Sequence, residues 1–132
     1  MIVVDASVVV EALATPVPNP GLANRLEHDA DFRAPHLIDI EFASGLRRLV
    51  AAGELTADRA ADALSDLHDL RVVRYPHLSL IDRLWDLRGS LTAYDAAYVA
   101  LAEILGVPLV TCDARLAGSS GHEAEIELYA PV

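Results

Sequence analysis

Leu91-Thr-Ala-Tyr-Asp95-Ala-Ala-Tyr-Val-Ala-Leu-Ala102-Glu-Ile-Leu-Gly106-Val-Pro108-Leu-Val-Thr-Cys-Asp113 is the stretch that decides the fold. Thr92 is a helix N-cap, the apolar positions that follow carry the helix to Leu105, and Gly106 with Pro108 ends it. Leu109 to Cys112 is then a short, uninterrupted apolar run, the signature of a strand buried on both faces of a parallel sheet. Asp113 comes as that run stops, which places a carboxylate at the carboxyl edge of the sheet, where open α/β sheets bind their ligands.

The beginning of the chain repeats the pattern. Ile2 to Val4 reads as a strand, Asp5 closes it, and Ser7 to Ala14 reads as a helix. Thr15-Pro-Val-Pro-Asn-Pro-Gly21 is a breaker cluster. Leu22 to His28 is a second helix, and Pro35 introduces a longer one from His36 to Ala52, stopped by Gly53. Thr56 caps the next helix, whose Ala60, Ala63, Leu64 and Leu67 keep helical spacing. Val72 to Tyr75 is a strand, Leu80 to Leu87 a helix, Gly118-Ser-Ser-Gly121 a loop, and Ile126 to Tyr129 a last strand. Strands alternating with helices imply parallel pairing and right-handed crossovers. No repeat or linker interrupts the series, so residues 1–132 are expected to form a single domain.

Composition narrows the chemistry. The formal net charge is −10, which argues against nucleic-acid binding through a broad basic face. All 10 basic residues are arginines. Without lysine there is no P-loop lysine, no Schiff base and no lysine general base. Cys112 is the sole cysteine, so no internal disulfide forms, which suits a reducing, cytoplasmic setting. Met1-Ile-Val-Val-Asp5 has no basic n-region, so no signal peptide is expected, and no apolar run is long enough to span a bilayer.

Four acids are the candidates for chemistry: Asp5, Glu41, Asp95 and Asp113. Each also has a purely local explanation. Asp5 and Asp113 could do no more than cap the helical turns that follow them. Asp95, three residues after Thr92, fits a capping box. Around the helix that starts near His36, Ile38, Phe42, Leu46 and Leu49 form the apolar stripe, with Glu41 on one border and Asp39 on the other; the wheel does not choose between them. Tyr94 and Tyr98 read as packing residues. Asp58, Asp62, Asp66 and Asp69, like Asp82 and Asp86, read as solvated helix faces. His28, His36, His68, His77 and His122 include no pair at ligand spacing.

Met1-Ile-Val-Val-Asp5-Ala-Ser7, Glu41 in a mid-chain helix, Leu91 to Ala102 and Val107 to Leu116 together resemble a PIN-domain ribonuclease, most closely the VapC toxins of bacterial VapBC toxin–antitoxin pairs. The resemblance covers essentially the whole chain, and its two C-terminal motifs are the specific ones. It implies an α/β fold, three-layer α/β/α, with a central parallel sheet flanked by helices. It implies that Asp5, Glu41, Asp95 and Asp113 are catalytic and bind Mg2+ or Mn2+, with Asp5 and Asp95 as direct ligands and Ser7 and Thr111 as supporting hydroxyls. It implies metal-dependent endonucleolytic cleavage of single-stranded or looped RNA, tRNA among the targets, by metal-activated water. A VapB-type antitoxin would neutralise the protein by bringing a basic residue toward the acids and burying an apolar side near Phe42, Leu46 and Leu49. Homodimers and toxin–antitoxin hetero-oligomers are the implied assemblies. Arg47, Arg48, Arg71, Arg74 and Arg115 are candidates for contacting RNA or antitoxin. Cys112 departs from the family pattern, where a smaller residue is common.

A hard, oxygen-seeking dication is also what electrostatics asks for. A phosphodiester will not approach clustered carboxylates unless a cation screens them, and Mg2+ and Mn2+ prefer oxygen ligands. Receiver domains need adjacent acids after the first strand and a late lysine; haloacid-dehalogenase phosphatases need a second acid where Ser7 stands. The alternative with most to recommend it is a catalytically silent PIN fold that only binds RNA or protein. Structure-specific DNA nucleases are a third possibility, but the short chain lacks the extra helices they use to hold a duplex.

Overall fold

The structure, a computed structural model, describes residues 1–132. Five strands form one sheet: β1 (Ile2–Val4), β2 (Phe32–Pro35), β3 (Val72–Tyr75), β4 (Leu109–Thr111) and β5 (Ile126–Leu128), in the order β3-β2-β1-β4-β5. Every neighbouring pair is parallel, with Val3 opposite Arg33 on one side and Leu109 on the other. The helices are α1 (Ala6–Ala14), α2 (Pro20–His28), α3 (Leu37–Ala51), α4 (Ala57–Asp69), α5 (Ile81–Asp86, after a 3-10 turn at Leu78–Leu80), α6 (Ala93–Leu105) and α7 (Ala114–Ala117).

The strand order fixes the layers. The chain moves outward from β1 to β2 to β3, then jumps back past both to β4. Right-handed crossovers in opposite directions must lie on opposite faces of the sheet. Accordingly α1, α3 and α4 pack on one another, while α5 and α6 pack together and α6 covers β1 and β2. This is the three-layer α/β/α arrangement. The reversal also makes the carboxyl end of β1, beside β4, the topological switch point, where adjacent connections part and leave a crevice.

Burial follows composition. Ile2, Val3, Val4, Leu109 and Val110 are enclosed on both faces of the sheet. In α6, seven successive residues, Ala96 to Ala102, are buried; a helix apolar all round belongs in an interior, and its alanines let it lie close on the strands. Gly106, at φ 65°, ends α6 in the left-handed conformation that glycine adopts without strain.

β2 has no counterpart among the strands expected from sequence. Phe32-Arg-Ala-Pro35 is short, carries an arginine and ends in proline, so Pro35 reads locally as a helix opener. In the fold Pro35 takes the last position of the strand, where a missing N–H is least costly to the ladder. Pairing on both sides, with β1 and β3, overrides the weak local signal. Leu64 also departs from expectation: it is exposed, and α4 buries Ala60 and Ala63 instead.

The approach of α1 to α3 depends on a missing side chain. A Cβ on Gly45 would stand 3.1 Å from Val10 Cγ2. Glycine inside a helix costs about 1 kcal/mol relative to alanine, so its place here reflects packing. Gly45→Leu is expected to lower unfolding free energy by about 1–3 kcal/mol through overpacking. Urea denaturation measures this; an unchanged midpoint would mean that α1 and α3 separate freely.

Candidate functional site

The switch point opens into a cleft of about 740 Å³ whose walls include Asp5, Glu41, Asp95 and Asp113. Four elements deliver them. Asp5 follows β1, Glu41 lies in the second turn of α3, Asp95 in the first turn of α6, and Asp113 follows β4. The volume lies within the roughly 300–1,000 Å³ of ligand sites generally.

Asp5 is the most deeply set, at 6% exposure. Its Oδ1 accepts Ser7 Oγ at 2.5 Å and the Val8 amide at 3.2 Å, and its Oδ2 accepts Thr111 Oγ1 at 2.5 Å. Each hydroxyl that donates to Asp5 also accepts from the chain beyond β4: Ser7 Oγ from the Cys112 amide at 2.9 Å, Thr111 Oγ1 from the Asp113 amide at 3.0 Å. The Asp5 carboxylate therefore locks the end of β1, the start of α1 and the β4–α7 turn into one unit. Asp5 also caps α1, so the local explanation holds, and the same carboxylate lines the cleft. Asp113 likewise accepts the Arg115 amide at 2.9 Å and caps α7.

The structure resolves the tie on α3. Asp39 turns away into a bidentate pair with Arg74, at 2.7 and 2.8 Å. Glu41 faces the cleft and accepts the Tyr98 hydroxyl at 2.6 Å. Tyr98, 1% exposed, is thus a packing residue as expected and also the anchor of Glu41. Thr92 Oγ1 caps α6 by accepting the Asp95 amide at 3.2 Å, and Asp95 lines the cleft.

The acids disfavour one another's charge. Burial, countered by its three hydrogen bonds and reinforced by the charge of Asp113, raises the Asp5 pKa. Burial raises Glu41, opposed by the Tyr98 hydrogen bond and reinforced by Asp95. Burial and then the charge of Asp113 raise Asp95, with Arg115 opposing. Cys112 is pushed up to about 12 by burial and the charges of Asp5 and Glu11, so it is a neutral thiol and no nucleophile at neutral pH. Asp5, Glu41 and Asp113 each have their own partner, and no group of three or more Asp, Glu, His or Cys side chains closes on a single point. The donor set is nonetheless all oxygen, the chemistry that suits Mg2+ or Mn2+, and Asp5 Oδ2 keeps a lone pair beyond its one hydrogen bond.

Among the candidate arginines, Arg48 and Arg115 line the cleft; Arg47 is exposed outside it and Arg74 is held by Asp39. Arg115 Nη2 reaches Asp113 Oδ2 at 3.1 Å. The expected apolar groove needs correction: Phe42 (0%) and Leu46 (3%) are buried in the core, and only Leu49 borders the cleft. Their stripe faces inward because α3 must cover α1 and the sheet.

Glu11 is an unexpected member of the wall, 5% exposed and accepting Asn19 N at 3.1 Å and Thr15 Oγ1 at 3.2 Å. A glutamate inside the apolar run Val8-Val-Val-Glu11-Ala-Leu, four residues after Ser7 and so on the same helix face, was the signal available for it.

A parallel sheet wound on both faces, with carboxylates gathered at its switch point, defines an α/β protein with an acidic cleft. The PIN domain family matches residues 2–118. The VapC ribonuclease Mb0985 of Mycobacterium bovis is 45% identical over 126 residues, 96% of each chain. Ribonuclease VapC1 of Mycobacterium tuberculosis is 45% identical over 127 residues, again 96% of each. Among solved structures, PAE2754 from Pyrobaculum aerophilum superposes with a TM-score of 0.67 at 28% identity, covering 95% of this chain and 87% of that one. The chain belongs to the PIN-domain family, among the VapC ribonucleases.

The raised pKa of Asp95 has a measurable consequence. A carboxyl that holds its proton more tightly folded than unfolded favours the folded state below the ordinary carboxylate pKa of about 4, and that contribution is lost as pH rises through the folded value. Asp95→Asn removes the titration, so its stability relative to the parent should increase between pH 4 and pH 7. Urea unfolding at both pH values tests this; a difference that is constant or falls with pH would contradict the raised pKa, whose first cause is burial and second the charge of Asp113.

Proposed function

We propose that the protein is a divalent-metal-dependent endoribonuclease, the toxin of a type II toxin–antitoxin module. The observation that carries this is the convergence of Asp5, Glu41, Asp95 and Asp113 from four elements on one cleft. Asp5 and Asp95 serve as direct ligands of Mg2+ or Mn2+, with Glu41 and Asp113 completing the set. Bound there, the ion supplies screening of the acids, charge neutralisation at the scissile phosphate and a more acidic water.

The chain's own residues do the rest. Ser7 and Thr111 hold Asp5 by both oxygens, so its free lone pair has a fixed direction. Tyr98 keeps Glu41 turned toward the cleft. Arg115 and Arg48 offer positive charge to the phosphates of an entering strand. The substrate is single-stranded or looped RNA, where unstacked bases and the 2′-hydroxyl are open to recognition. An antitoxin of VapB type would present a basic group to the same acids, a complement to a net charge of −10. No helix is long and apolar enough to cross a membrane, and the proposed setting is the cytoplasm. Homodimerisation is part of the proposal.

Asp5→Asn and Asp95→Asn should each reduce RNA cleavage by more than the roughly 10–100-fold that loss of an outer-sphere partner costs a metal site, with far-UV circular dichroism unchanged. Gel-resolved cleavage of total RNA with Mn2+, with chelator and with each variant makes the measurement. Cleavage that persists in chelator or in either variant refutes the assignment.

A further inference from the structure

Tyr94 is exposed to 61% and lines the cleft one residue before Asp95. Four residues further along α6, Tyr98 is only 1% exposed and holds Glu41. Two tyrosines one helical turn apart thus have opposite surroundings, and only one is explained by packing. Burying an aromatic ring is among the larger gains available to a folding chain, so a ring left in water at the mouth of a site calls for a reason there. The other exposed aromatic, Trp85, has one: it is not on the cleft wall, and Arg88 lies over its ring at 4.6 Å from the centroid.

The cleft wall around Tyr94 offers a specific combination. Arg48 and Arg115 supply charge for phosphates. The acids occupy the floor, where a scissile phosphate would be processed. A planar ring at the rim, one residue from an acid of that floor, is positioned for a flanking nucleobase. Every base has a π-face, and stacking on an aromatic side chain is how single strands are gripped without base-pair readout.

We infer that Tyr94 is the stacking platform of a nucleotide subsite beside the proposed cleavage centre, with Arg48 and Arg115 of the same cleft wall meeting the strand's phosphates. This rests on the ribonuclease reading and adds where the strand lies. Tyr94 is a positioning residue: it fixes the base so that the adjacent phosphodiester meets the acids. A double helix, whose bases are already stacked, gains nothing from it, so the subsite selects unpaired nucleotides.

The test uses the full chain carrying Asp5→Asn to prevent cleavage. Its affinity is measured for a short oligouridylate and for the same ribose-phosphate backbone without bases. The base-bearing strand should bind on the order of ten-fold more tightly. Adding Tyr94→Ala should abolish that preference, Tyr94→Phe should keep it, and Arg115→Gln should weaken both strands alike and flatten the salt dependence. In otherwise unchanged protein, Tyr94→Ala should raise KM for RNA more than it lowers kcat. The inference is overturned if Tyr94→Ala keeps the full preference, if Tyr94→Phe is as weak as Tyr94→Ala, or if Tyr94→Ala instead alters self-association in sedimentation, which would make the ring a protein contact. Parent protein that cleaves RNA while Tyr94→Ala changes nothing sinks the subsite alone; parent protein that neither cleaves nor binds RNA sinks the ribonuclease reading beneath it.

Discussion

The structure depends on one buried negative charge being satisfied. Asp5 sits at the carboxyl end of the central strand, nearly out of contact with water. An ionised carboxylate there is costly unless it is hydrogen-bonded. Two hydroxyls and an amide meet that need, and the hydroxyls come from opposite sides of the switch point: Ser7 after β1, Thr111 at the end of β4. Because each hydroxyl also accepts an amide from the segment after β4, satisfying Asp5 fixes where Asp113 stands. The demand for satisfied polarity at one point thereby sets Asp5 and Asp113 side by side on the cleft floor.

The remaining acids follow the same rule. Carboxylates crowded in a partly desolvated cleft raise one another's cost of ionisation. The fold does not let them collapse together. Tyr98 holds Glu41, Arg115 holds Asp113, and the hydroxyl pair holds Asp5. Repulsion is left in place, restrained by separate anchors, which is how a site selective for a hard cation would be kept ready for one. The proposed Mg2+ or Mn2+ would relieve a strain that the protein side chains leave unrelieved.

Charge on the rest of the surface gives context. With a net charge of −10 the molecule does not attract a polyanion as a whole. Arg25, Arg33, Arg74 and Arg83 are engaged with Glu127, Asp31, Asp39 and Glu103, pairs that at a surface contribute little to stability but do remove free positive charge. At the cleft, Arg48 has no acid partner, and Arg115, paired with Asp113, remains largely exposed. Positive charge beside the acids is therefore local, and it is there that the proposed substrate's phosphates would find it.

Local sequence determined a good deal. Apolar runs closed by Asp5 and Asp113, the caps at Thr56 and Thr92 and the stop at Gly106 are all short-range physics, and each stands in the fold as the chain reads. The acids assigned by resemblance do share one cleft. What the chain could not display was every choice made at a distance. Phe32-Arg-Ala-Pro35 becomes a strand because β1 and β3 flank it. Glu41 rather than Asp39 faces the cleft because Tyr98 waits on one side and Arg74 on the other. Tyr94 and Tyr98, alike in sequence, part company because the interior reaches one and not the other. Propensity and periodicity act over a helical turn or less, whereas burial and pairing are settled by residues tens of positions away, and only the closed fold brings those together.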